Sequence, residues 1–319
     1  MIFEDFKHLK ERVEKLTGRT IYGTPQIREE TTQYMGIHGG MVLRLDGNDY
    51  FVMGDATEGR FGIEEQPKFW VKYAVDLESG NRKIIKLVFH EEFTSRVGPF
   101  LIRGKRSPEK ERRVLDTVKN HKSFMQGYPI YDPDGNLVRI IDFVPGKSLY
   151  RYLYGLDLSH EEYFHDILPG IIKKLVGSFE AIDFLIQNGE HHGDIRTDHI
   201  IIESDTDEYV WIDFDFEVSH TDFDLWGLGD VLIFAVGKGE HTVGDVFRNP
   251  DLFPVNPSKV NFSEDDTMLF FKSRIANLRK IYPYIPDKLN RILTSFSMGT
   301  YFFYENVRAL IDDVGEAFP

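Results

Sequence analysis

The sequence predicts an α+β protein in two lobes, a small β-rich one followed by a larger, mainly helical one. Three observations predict it. Between residues 41 and 90, short runs rich in β-branched and aromatic residues alternate with Gly-containing turns. Beyond residue 146, apolar residues recur mostly at helical spacing. Pro145-Gly146 breaks the chain between the two patterns. The boundaries follow: residues 1–40 as an N-terminal helical extension, 41–145 as a β-rich lobe with one long helix, and 146–319 as a helical lobe. Between two such lobes a cleft is the expected ligand site.

The first element is a helix over residues 2–16. Phe3, Phe6, Leu9, Val13 and Leu16 share one face of it, and Gly18 is its stop signal. Four strands come next, MVLRL, DYFVM, FWVKYAV and KIIKLVF, separated by turns such as Asp46-Gly47 and Ser79-Gly80-Asn81. Ser107-Pro108-Glu109 opens a helix expected to reach about Lys122: Ser caps, Pro suits the first position, and acids favour the first turn. Asp132-Pro133-Asp134-Gly135 is a turn between two further strands. In the second lobe a periodic segment runs from Glu161 to Gln187, with a break expected near Pro169-Gly170. The strands HIIIE and YVWIDF follow, then an apolar helix over 224–236. Helices over 264–280, 285–297 and 300–316 complete the chain.

Composition narrows the function. The 319 residues are 41% hydrophobic and 28% charged, which excludes global disorder. The absence of cysteine excludes disulfides, thiolate metal sites and a thiol nucleophile. A net charge of −14 argues against nucleic acid and anionic membranes as partners. The N-terminus lacks the apolar run of a signal peptide, so a cytoplasmic protein is expected.

The chemistry concentrates in residues 188–217, NGEHHGDIRTDHIIIESDTDEYVWIDFDFE. A His-Gly-Asp triplet follows a long helix, and the second of two strands ends at Asp213-Phe214-Asp215. This arrangement resembles the protein-kinase-like superfamily, whose catalytic loop reads H-R-D or H-G-D and whose metal motif reads D-F-G or a variant. The resemblance implies an ATP-dependent phosphotransferase with Mg²⁺ (or Mn²⁺). Asp194 would orient the acceptor hydroxyl and take its proton, and Asp213 would hold the metal. Arg196, two residues on, matches a position whose cation approaches the transferred phosphate.

Further positions agree in order. Lys86 in KIIKLVF matches the phosphate-pairing lysine, with Lys83 as competitor. Glu111 matches its helix partner, with Glu109 as runner-up. The Asp142, Phe143 and Val144 backbone would meet the adenine. Asp224-Leu225-Trp226-Gly227 resembles a helix start whose Asp braces the catalytic loop.

Four departures bear on the reading. Gly59 and Gly62 match only the second half of a glycine loop, with Thr57 where its first Gly belongs. His199 stands where an Asn metal ligand is expected; Asp198 beside it is an alternative, and His199 is equally readable as a structural residue. A zinc site from His191, His192 and His199 is the weaker reading, because the carboxylates nearby already have roles. Only about ten residues separate Asp215 from the Asp224 helix, too few for a peptide platform, which resembles the aminoglycoside phosphotransferases and RIO-type kinases. The expected partners are ATP and a hydroxyl acceptor, small molecule or protein. The alternative function is a pseudokinase acting as a nucleotide-binding or interaction scaffold.

Overall fold

The computed structural model describes residues 2–60, 63–97, 100–218 and 222–318 of a mixed α+β protein. Its elements begin with α1 (Phe6–Thr17), β1 (Ile27–Arg28), β2 (Val42–Leu45), β3 (Asn48–Arg60), β4 (Ile63–Asp76), β5 (Arg82–Lys86), β6 (Glu91–Val97) and β7 (Phe100–Arg106). Next come α2 (Pro108–Thr117), β8 (Gly127–Tyr131), β9 (Leu137–Asp142), β10 (Gly146–Ser148), α3 (Leu149–Tyr154), α4 (His160–Glu162) and α5 (Leu168–Gln187). The chain continues through β11 (Ile200–Glu203), β12 (Tyr209–Trp211), β13 (Phe216–Val218), α6 (Phe223–Gly237), α7 (Val243–Arg248), α8 (Asp287–Thr294) and α9 (Val307–Ala317). Two compact units result: Met1–Glu91 with Arg106–Val144, and Glu92–Lys105 with Pro145–Pro319.

The first unit is built on a seven-stranded sheet of order β1-β2-β3-β4-β5-β9-β8. The β1–β2 pair is parallel. The other pairs are antiparallel. Helix α1 is capped by Asp5, whose carboxylate accepts from the Lys7 amide, and is stopped by Gly18 at φ 68°. Its Leu9 and Val13 are fully buried against Val42, Phe51 and Leu77. A larger cluster including Tyr50, Trp70, Ile85 and Ile140 fills the middle of the sheet. Helix α2 opens as its cap signals require but ends at Thr117, earlier than the sequence suggests. The Gln126 side chain explains the stop. Its amide donates to the Val118, His121 and Phe124 carbonyls, and its oxygen accepts from the Asn120 amide at 2.7 Å. Those groups therefore need no further helical turn.

In the second unit β10, β11 and β12 form one sheet with antiparallel pairs, and β13, β7 and β6, in that order, form a second three-stranded sheet. The expected break near Pro169 is a π turn over Tyr163–Ile167, between α4 and α5. Proline lacks the N–H that would continue the α ladder, and the wider turn absorbs the gap. Helix α5 buries Leu175, Phe179, Ile182 and Leu185, and Trp211 of β12 docks on it, donating from Nε1 to the Ser178 carbonyl at 3.0 Å. Helix α6 is buried nearly all round.

The helix expected over 264–280 is not formed. Short 3-10 turns stand at Glu264–Asp266 and Leu278–Lys280. Asp266 takes hydrogen bonds from the Ser263 amide, Asn277 and Lys280, which fold the segment back on itself. Likewise the last helix starts only at Val307, because Asn306 caps it by accepting from the Ala309 amide. Among the described residues no helix is long and apolar enough to cross a membrane.

His160, at the start of α4, carries a stability prediction. Its ring stacks on Tyr282 at 3.5 Å, its Nε2 meets the Val236 carbonyl at 2.9 Å, and its Nδ1 meets the Tyr284 hydroxyl at 2.8 Å. Burial pushes its pKa from 6.5 down to about 3. The unfolded chain therefore binds a proton between these values while the folded one does not. This stabilisation is whole above pH 6.5 and is lost as pH falls towards 3, by up to about 5 kcal/mol. Denaturant titrations of wild type and His160→Gln should converge as pH drops from 7 to 4. Parallel stability curves would refute the assignment.

Candidate active site

The second unit assembles the His-Gly-Asp loop from three directions. The loop leaves α5 after Asn188 and runs to the turn Thr197–His199. Asp224, in the first turn of α6 and 1% exposed, receives the His192 amide on one carboxylate oxygen and the Gly193 amide on the other, each at 2.7 Å. The helix N-cap is Asp222, so the Asp224 side chain is committed to the loop. Gly193 sits at φ +81°, and a Cβ there would lie 2.0 Å from the Phe216 carbonyl oxygen, so only glycine fits. Gly227 in α6 permits a second close approach: a Cβ there would lie 2.7 Å from Cβ of Ile195. The sequence Asp224-x-x-Gly227 therefore both ties the loop and lets it lie flat on the helix.

Behind the loop, His192 is fully buried, its ring edge-on to Trp211 and Phe214. Phe214, between the two acids of Asp213-Phe214-Asp215, is a core residue with 0% exposure. Its burial pins the segment that carries Asp213. Asp213 itself has φ +64°, outside any tight turn, while Asp46, Asp207 and Lys238 adopt positive φ in hairpin turns or at a helix end. A non-glycine residue held there costs free energy, and such strain concentrates at functional positions.

His199 links the two acids. Its Nδ1 meets the Asp194 carbonyl oxygen at 2.8 Å and lies 3.6 Å from the Asp194 carboxylate. Its Nε2 lies 3.1 Å from the Arg196 guanidinium and 3.7 Å from the Asp213 carboxylate. The carbonyl contact assigns the proton to Nδ1 and leaves Nε2 to accept from Arg196. Both nitrogens are thus engaged, and the ring lies between the two acids. Arg196 is forked onto Asp198, at 3.0 and 2.8 Å. Burial raises the Asp194 pKa above the usual carboxylate range. His199 and Arg196 oppose that shift, and Asp213 and Asp198 add to it. A carboxylate with a raised pKa is a better proton acceptor than an ordinary one. The carboxylate oxygens of Asp213 suit a hard divalent cation such as Mg²⁺; an imidazole nitrogen suits it poorly.

The first unit carries the other expected residues. Lys86 ends β5, 4% exposed, with its ammonium 2.6 Å from Glu111 on fully buried α2 positions. Lys83 pairs instead with Asp142, its partner at the end of the β5–β9 ladder, and Glu109 pairs with Arg112. The Asp142 amide donates to the Gln126 carbonyl and the Phe143 amide to the Arg82 carbonyl, so both are spent within the sheet. Val144 is the last residue of the unit. Gly59 lies where β3 shifts register against β4, between Glu58 and Arg60; Gly62 falls outside the described residues.

One residue was missed. Arg139, in the run Leu-Val-Arg-Ile-Ile of β9, is 1% exposed and holds the second oxygen of Glu111 at 3.1 Å. A lone Arg inside an apolar strand is the signal, because a buried guanidinium requires an anionic partner. Compared with known proteins, the chain matches no family model and no curated sequence.

Proposed function

We propose that the chain is a phosphotransferase of the two-lobed, protein-kinase-like kind, moving the terminal phosphoryl group of ATP to a hydroxyl acceptor. The observation that carries this reading is the braced loop: Asp224 fixes His192 and Gly193, and His199 then sets Asp194 beside Asp213. Phosphoryl transfer asks of a protein chiefly positioning and charge stabilisation, and such a loop supplies the first.

Asp194 orients the acceptor hydroxyl and takes its proton as the new O–P bond forms. The bond from the γ-phosphorus to its bridging oxygen breaks, and ADP leaves. Asp213 would supply carboxylate oxygens to Mg²⁺ or Mn²⁺, which when bound would offset phosphate charge. Lys86, held by Glu111, pairs with phosphate oxygens. Arg196 keeps His199 and Asp198 in place and lends positive charge to the loop. The acceptor is a small molecule or a folded protein, since the short segment after Asp215 leaves no room for a long peptide platform. A cytoplasmic setting, where ATP is abundant, suits this chemistry.

A second reading is a pseudokinase scaffold. It is favoured by Thr57 in place of the first loop glycine and by the engagement of both His199 nitrogens. Incubation with γ-labelled ATP and Mg²⁺ separates the two readings. The phosphotransferase releases the label to water or to an acceptor from a panel of sugars, amines and proteins, and Asp213→Ala does not. Bound but intact ATP in the wild type would establish the scaffold.

A further inference from the structure

Glu111 is gripped from two strands. Lys86 of β5 takes Oε1 at 2.6 Å and Arg139 of β9 takes Oε2 at 3.1 Å. The two cations stand opposite each other in the sheet, Lys86 pairing with Arg139 across the β5–β9 ladder. Arg139 is itself immobilised: Nη1 donates to the Leu87 carbonyl at 3.1 Å and to the Leu137 carbonyl at 3.0 Å. Its exposure is 1% and that of Glu111 is 0%. A guanidinium has five donors in a fixed fork, so it can serve two carbonyls and a carboxylate together.

We propose that Arg139 is the positioning residue that keeps the Lys86–Glu111 pair formed before any ligand arrives, so that the pair needs no activating partner or modification. A carboxylate held at one oxygen can rotate away when its helix shifts. Held at both, by cations rooted in adjacent strands, it ties α2 to the sheet. Arg139 touches neither nucleotide nor acceptor and acts only through Glu111. The inference rests on the phosphotransferase reading for the purpose of the pair, and on the first unit alone for its existence.

The test uses the full chain as wild type, Arg139→Lys, Arg139→Met, Glu111→Gln and the Arg139→Met/Glu111→Gln double variant. The readouts are KM for ATP against kcat, and the rate at which an amine-reactive reagent labels Lys86, followed by mass spectrometry. Arg139→Met should raise KM for ATP and the labelling rate about tenfold each, with Arg139→Lys in between. In the Glu111→Gln background it should add nothing. Equal cost in both backgrounds, or Lys86 labelling unchanged in Arg139→Met and Arg139→Lys, overturns the proposal. Labelling that follows the expected pattern while no protein turns over ATP sinks the phosphotransferase reading and leaves the positioning role standing.

Discussion

Asp194→Asn should lower kcat for phosphate transfer by about 10²–10⁴-fold, the usual worth of a positioned general base. Nucleotide affinity should not change. The substitution keeps the side chain's size and so preserves the loop, whose anchor points are elsewhere. Asp224 holds the His192 and Gly193 amides, and His199 holds the Asp194 carbonyl oxygen; none of these bonds uses the Asp194 carboxylate. What disappears is the proton acceptor. Steady-state kinetics with a titration of ATP binding would read both quantities. A fall confined to kcat places Asp194 in the chemical step. Wild-type turnover by Asp194→Asn would remove it from that role.

Asp224→Ala should be the most damaging substitution outside the reacting groups. A fully buried carboxylate is lost, and the His192 and Gly193 amides are left without their acceptor. Each bond to a charged group contributes about 1.5–3 kcal/mol, so a loss of about 3–6 kcal/mol is expected in denaturant unfolding. Asp224→Asn keeps one oxygen acceptor and should fall between. Activity should drop in both, because an untied loop no longer sets Asp194. A variant as stable and as active as wild type would show that the brace is incidental.

The legible parts of the fold were those with strong local signals. The Ser107-Pro108 cap, the Asp132–Gly135 turn and the Gly18 stop each act within a few residues, and each stands where the sequence places it. The strands β6 and β7 were not anticipated, because EEFTSRV and FLIRGKR mix charge and apolar residues without clean alternation. The segment 264–280 read as helical by spacing, yet Asp266 gathers distant donors that no short window contains. The Lys86–Glu111 pair and the hold of Asp224 on the loop were expected from motif order, and both contacts are present. The place of the His199 ring between the two acids was not, since it depends on side-chain contacts between the loop and the segment after β12. Arg139 shows the converse: the burial that makes it informative is visible only once β9 is known to be interior.

The most direct test of the phosphotransferase account is the melting temperature of the wild type and of Asp213→Ala in millimolar ATP, with and without Mg²⁺ or Mn²⁺. A ligand that binds only the folded chain stabilises it, by about 2.7 kcal/mol at a hundredfold excess over Kd. The expected result is a rise in the wild type that requires the metal and is absent from Asp213→Ala. No rise with either metal, or an equal rise in the variant, would contradict the account.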